Sequence, residues 1–148
     1  MTATEMWKMY CEASGTPVDE PHSAWAFGGA PDELARLVMA GIKTATASAF
    51  DLYALDGDEP MPKEGDLSVI LDGREDAKCV IKTTKITIVP YCDVTAEHAF
   101  REGERDRTLA SWRAIHEEFF AGEFAEYGLN FDETRKIVCE EFEVVYQK

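Results

Sequence analysis

Residues 77–91 read AKCVIKTTKITIVPY, a run dominated by β-branched side chains and closed by Pro90. Val, Ile and Thr are stiff at χ1 and fit a pleated surface, so the run reads as strand. It exceeds the usual five or six residues, which predicts two strands or one long bent one. Just upstream, residues 65–73 read GDLSVILDG, with Leu67, Val69 and Leu71 alternating between glycine turns, the pattern of another strand. Near the C-terminal end, residues 136–147 read KIVCEEFEVVYQ, and the apolar phase shifts between Cys139 and Phe142. That shift predicts a bulge, as expected where a sheet curls into a barrel.

Helical signals surround these strands. Thr2 and Glu5 resemble a capping box, and a helix over about 2–15 is expected to stop at Gly15, with Met6, Met9 and Tyr10 on one face. Residues 16–23 contain two prolines and read as a loop, followed by the aromatic and glycine cluster WAFGGA at 25–30. Pro31 suits the first position of a second helix, and Asp32 and Glu33 oppose its dipole. Leu34, Leu37 and Val38 form its apolar stripe, and Gly41 closes it in a left-handed conformation. An acidic loop spans 56–64. Asp93 and Thr95 offer caps for a short helix across AEHAFREG. Thr108 caps a longer helix with Leu109, Trp112, Ile115, Phe119 and Phe120 on a broad apolar face. This order of elements predicts one α+β domain over 1–148.

Composition narrows the function. The 148 residues hold twenty-nine acids against fifteen bases, a net charge of −14, which repels nucleic acid globally and restricts any RNA contact to a local cleft. No apolar run approaches the ~20 residues that span a bilayer, and the first residues lack a secretory pattern, so a cytoplasmic location is expected. Cys11, Cys79, Cys92 and Cys139 form no Cys-x-x-Cys pair, and His22, His98 and His116 share no metal-ligand spacing, so no metal site is expected. Cys79 and Cys139 lie in apolar runs and read as buried thiols. No phosphate-binding glycine loop, dinucleotide fingerprint or serine nucleophile elbow occurs, and no cofactor is expected.

By composition alone Lys43, in AGIKTATAS at 40–48, is a solvated loop lysine, Thr46 a strand threonine and Glu102 a surface acid. The segments WAFG, APDELARLVMAGIKTATAS, GDLSVILDG, VIKTTKITIVPY, HAFREGERDRTLASWRAIHEEFF and VCEEFEVV, taken in order, resemble the longer bacterial ASCH-domain proteins. The resemblance runs from about Trp25 to Tyr146 and implies a PUA-like curled β-barrel with flanking helices. The family signature Gly-x-Lys-x-x, followed often by Glu, reads here Gly41-Ile42-Lys43-Thr44-Ala45-Thr46. One branch, which hydrolyses N4-acetylcytidine to cytidine and acetate, is similar in carrying threonine at that last position and a glutamate in a His-Ala-x-x-Glu stretch. Lys43, Thr46 and Glu102 match those positions. Other members are reported as ribonucleases or assumed to bind RNA, so the alternatives are an RNA-binding domain or ribonuclease using the same cleft and a non-catalytic regulatory binding module, and the implied partner is a small nucleoside or a short single-stranded RNA.

The implied chemistry makes Lys43 a base, Thr46 a nucleophile and Glu102 an acid or orienting group. It carries a geometric condition. Positions i and i+3 face opposite sides of a regular strand, so Lys43 and Thr46 converge only if the chain turns or bulges at Thr44–Ala45. Ser48, Trp25 and Phe27 are candidate substrate contacts, the two aromatics either stacking on a base or filling core. Arg105 and Arg107 either meet a phosphate or base edge or balance Glu102, Glu104 and Asp106. Trp112 and His116, on the apolar side of the long helix, read as core.

Overall fold

Five strands make one curled sheet in the computed structural model, which describes residues 1–57 and 60–148. Asp58 and Glu59 of the acidic loop lie outside the described residues. The strands are β1 (Ser23–Ala26), β2 (Ala45–Ala49), β3 (Leu67–Leu71), β4 (Ala77–Pro90) and β5 (Lys136–Gln147), in the spatial order β1-β3-β4-β5-β2. The long β-branched run is thus one strand. It pairs antiparallel with both β3 and β5, while β1 runs parallel to β3. β1 falls where the sequence reads as loop and aromatic cluster, because four residues are too few to show an alternation.

Two irregularities curl the β4–β5 ladder. Thr83 pairs with Phe142 and Lys85 with Glu141, which makes Thr84 an extra residue on β4. Val80 pairs with Tyr146 and Ile81 with Val144, which makes Val145 extra on β5. The irregularity expected between Cys139 and Phe142 therefore sits opposite that stretch, on the partner strand. The apolar phase shift has another cause. Ile137 and Cys139 face one side of β5, and Phe142 and Val144 face the other, each side being covered by different helices.

Those helices are α1 (Ala3–Ser14), α2 (Pro31–Met39), α3 (Phe50–Leu55), α4 (Ala96–Glu102) and α5 (Leu109–Glu126). Thr2, Thr95 and Thr108 accept hydrogen bonds from the third residue beyond each, capping α1, α4 and α5. Of the two caps proposed for α4, Thr95 is the one used, and Asp93 belongs to a 3₁₀ turn at Tyr91–Asp93. Met6, Trp7, Tyr10 and Cys11 of α1 pack on Val69 and Val80. Leu34, Ala35 and Val38 of α2 pack with Phe27 on Ile70, Cys79, Ile81 and Phe142. Ala99 of α4 and Trp112, Phe120 and Phe124 of α5 pack on Ile137 and Cys139. The buried line of α5 is therefore Trp112, His116, Phe120 and Phe124. Phe119, expected on that face, is 44% exposed, and Leu109 and Ile115 are only half-buried. Trp112, His116 and Phe120 thus lie on the side the sequence assigns to the core, and Phe124 extends the line by another turn.

Cys79 and Cys139 are buried free thiols, each pushed up to about 12 by burial. Among the described residues, no helix is long and apolar enough to cross a membrane.

Candidate functional site

Lys43 is delivered by a tight exit from α2. Gly41 adopts φ +77°, and the amides of Ile42 and Lys43 both donate to Leu37 O, at 3.0 and 3.1 Å. The chain is then held from two sides: Thr44 N donates to Arg101 O at 2.7 Å, and Phe142 N donates to Thr44 O at 3.0 Å. The end of α4 approaches so closely that a Cβ on Gly103 would lie 2.5 Å from Ile42 O. Arg107 stitches the same junction, donating to Phe100 O and Ile42 O while its guanidinium lies 3.6 Å from the Phe100 ring centre. Its partners are backbone carbonyls and an aromatic face, so among the described residues it does not balance Glu102, Glu104 or Asp106 through an ion pair.

This junction buries a charged cluster. Lys43 and Glu102 are each 1% exposed, and Glu104 is 20% exposed. Lys43 Nζ donates to Ala45 O at 2.9 Å, to Glu104 Oε2 at 3.0 Å, and to Glu102 O and Oε1 at 3.4 Å. Four acceptors therefore surround the nitrogen, enough to take all three hydrogens of an ammonium. The Phe27 ring centre lies 5.3 Å from the same nitrogen. Glu102 Oε2 accepts from His98 Nε2 and from Trp112 Nε1, both at 2.6 Å. Its Oε1 also lies 3.5 Å from His116 Nε2.

Electrostatics follow from these contacts. Burial raises the Glu102 carboxyl, but Lys43 and the two histidines outweigh it and hold Glu102 well below the usual carboxylate range. Burial likewise lowers His116, yet Glu102, with the Trp112 carbonyl that accepts from Nδ1 and nearby Glu104, leaves it raised. Glu102, Glu104 and His116 bring ligand atoms within 4.8 Å of one another, a spacing that suits a divalent ion. The Lys43 ammonium sits against both carboxylates of that group, so the chain supplies its own positive charge there.

The other candidates lie apart. The chain turns at Gly41–Ile42, not at Thr44–Ala45, and β2 pairs with β5 without a break from Ala45↔Glu141 to Ala49↔Ile137. Alternation places Thr46 and Ser48 with Glu140 and Val138, on the face opposite Ala45, Ala47 and Ala49. Among the described residues, no hydrogen bond joins Thr46 to Lys43, while Ser48 Oγ accepts from Tyr53 Oη at 2.7 Å. Lys43 and Glu102, 59 positions apart, are brought together; Thr46 is not. Phe27 is buried in the core, and half-buried Trp25 meets its ring edge-on at 4.7 Å. Arg105 is exposed, at φ +54°, and lines an open hollow of about 490 Å³ with Ala114, Ile115, Glu118 and Phe119. A second hollow, about 290 Å³, lies between the end of α2 and β5 and includes Lys43 and Thr44.

Sequence reasoning passed over Glu104, His98 and the polar sides of Trp112 and His116. One signal was present: His98 and Glu102 stand four apart on a helix and so share a face. The contacts of Trp112 and His116 with Glu102 depend on how α5 crosses α4, which no local pattern encodes.

The ASCH domain profile matches residues 23–146. The fold is similar to the ASCH domain of Lactobacillus crispatus JV V101, with a TM-score of 0.88 and 28% identity over 97% of this chain and 93% of that one. It is similar also to a protein from Enterococcus faecalis V583, with a TM-score of 0.85 and 35% identity over 95% of this chain and 86% of that one. No curated protein matches the sequence significantly. With a family match across most of its length and a curled sheet flanked by helices of the same design, this chain belongs to the ASCH-domain family, in the PUA-like class of folds.

Proposed function

We propose that this chain is an amidohydrolase that removes the acyl group from N4-acetylcytidine-type nucleosides, with its chemistry centred on the Lys43–Glu102 cluster. The observation that carries the reading is the contact of Lys43 Nζ with Glu102 Oε1, which unites two of the three motif positions inside the fold. A buried ion pair seldom improves stability over an apolar pair of similar volume, so its presence beside a hollow favours a functional role.

The roles differ from those implied by the motif. Lys43 donates every hydrogen and acts as a fixed cation, not a base. Glu102, clamped by His98, Trp112 and Lys43, orients that cation. Water is then the attacking group, since no hydrogen bond joins Thr46 to Lys43 and the regular β2 ladder offers no bend to bring it closer. The hollow beside Arg105, whose chain neighbour Glu104 contacts Lys43, offers the exposed Phe119 ring as a stacking surface for the pyrimidine. A small neutral nucleoside suits this site better than an RNA strand, because Glu104 and Glu118 and the overall charge of −14 repel phosphates.

The test is cytidine release from N4-acetylcytidine. Wild-type protein should turn over, and Lys43→Met should lose at least ~100-fold. A wild-type rate no faster than that of Lys43→Met ends the proposal. Thr46→Ala should keep its rate within about threefold; complete loss in a folded variant would return the nucleophile to Thr46.

A further inference from the structure

We propose that Glu104, and not Glu102, is the carboxylate that exchanges protons with the substrate, an inference that rests on the hydrolase reading above. Glu102 is saturated. His98 and Trp112 donate to one of its oxygens, Lys43 and His116 approach the other, and the side chain is 1% exposed. A proton could reach it only by breaking that shell, and its carboxyl is held far below neutrality. His116 is buried too, with Nδ1 committed to Trp112 O and Nε2 turned toward Glu102.

Glu104 differs on every count. It is 20% exposed, and Lys43 Nζ, at 3.0 Å from Oε2, is the hydrogen-bond donor that aims it. It directly precedes Arg105, which lines the open hollow beside Ile115 and Phe119. The cluster thus divides its labour: Glu102 fixes Lys43 from the dry side, and Lys43 in turn fixes Glu104 at the wet edge.

The step this arrangement allows is balanced without a further reactant. Glu104 takes a proton from the attacking water as its oxygen bonds to the acyl carbon. When the tetrahedral intermediate collapses, the carbon–nitrogen bond breaks and Glu104 returns that proton to the departing amino nitrogen. Lys43 keeps its three hydrogens throughout. The charged and titratable groups around Glu104 are Lys43 after α2, Glu102 on α4, His116 on α5 and the neighbouring Arg105.

The experiment is a pH profile of N4-acetylcytidine hydrolysis for wild type, Glu104→Gln and Glu104→Asp, with thermal melts beside it. Glu104→Gln keeps an oxygen for Lys43, so it should melt near wild type. Its kcat should fall ~10²–10⁴-fold with KM within about threefold, and the acid limb of the profile should vanish. Glu104→Asp restores the carboxyl at a shorter reach and should recover part of the rate together with the acid limb. If Glu104→Gln does not fold, Glu104→Ala decides: a full wild-type rate with its acid limb intact overturns the inference. Wild-type turnover that survives Glu104→Gln with its acid limb intact overturns the Glu104 assignment alone. A wild type with no turnover overturns both this and the hydrolase reading.

Discussion

Lys43 and Glu102 are held in one buried network, Lys43 also by Ala45 O and Glu104, Glu102 also by His98 and Trp112. Each is a charge with almost no contact with water, so removing one takes a compensating partner from the other. Lys43→Met and Glu102→Gln should each cost about 3–5 kcal/mol of stability in denaturant titrations. The double variant should cost clearly less than their sum, because the second change removes a charge that the first left unpaired. An additive double variant would mean the pair is not coupled. The pH dependence has a definite sign. The folded Glu102 carboxyl is depressed, so its contribution is complete above the unfolded value of about 4.3 and is lost as pH falls through the lower folded value. Glu102→Gln should therefore flatten stability against pH in the acid range.

At the scale of elements, the site depends on how the exit from α2 meets the end of α4. Gly41 and Gly103 share the left-handed conformation, at φ +77° and +71°, but not the space around them. A Cβ at Gly41 meets nothing within 4 Å, whereas one at Gly103 meets Ile42 O at 2.5 Å. Gly41→Ala should cost about 1–2 kcal/mol from conformation alone. Gly103→Ala should exceed about 3 kcal/mol, since backbone must also move. Equal losses in chemical unfolding would show that the close approach carries no energy of its own. The two elements differ in how much of them the chain announces. Pro31, Asp32 and Gly41 mark α2 locally, and Thr95 marks the start of α4. Their meeting at Gly103 lies 62 positions downstream of Gly41, beyond the reach of any spacing rule.

Across the whole molecule, charge and curvature set the terms. Fourteen excess negative charges spread over a small fold repel one another through solvent, while the buried cluster is shielded from ions. Raising salt from ~0.01 to ~0.15 M shortens the Debye length from about 30 to 8 Å and should raise Tm by about 2–4 °C at neutral pH. A fall in Tm would mean that attractive surface pairs such as Arg101 with Glu97 and Glu141 outweigh the net repulsion. Curvature comes from Thr84 and Val145, which interrupt the longest ladder of the sheet. It lets helices cover opposite faces of β5, with α2 over Phe142 and α4 and α5 over Cys139.

The sequence by itself determined the elements whose signals are local: the β-branched strand at 77–91, the threonine caps, the glycine stop after α2, and the positions of Lys43 and Glu102 within their motifs. It also gave their family. Tertiary structure decided which of those side chains meet. Thr46 is three residues from Lys43, yet no hydrogen bond among the described residues joins them, and an unbroken ladder with β5 fixes Thr46 on the face opposite Ala45. Glu102 and Glu104 are about sixty residues away yet touch it, because the packing of α4 against the end of α2 brings them there. Proximity in a folded chain is set by pairing and packing, and neither is a property of neighbouring residues alone.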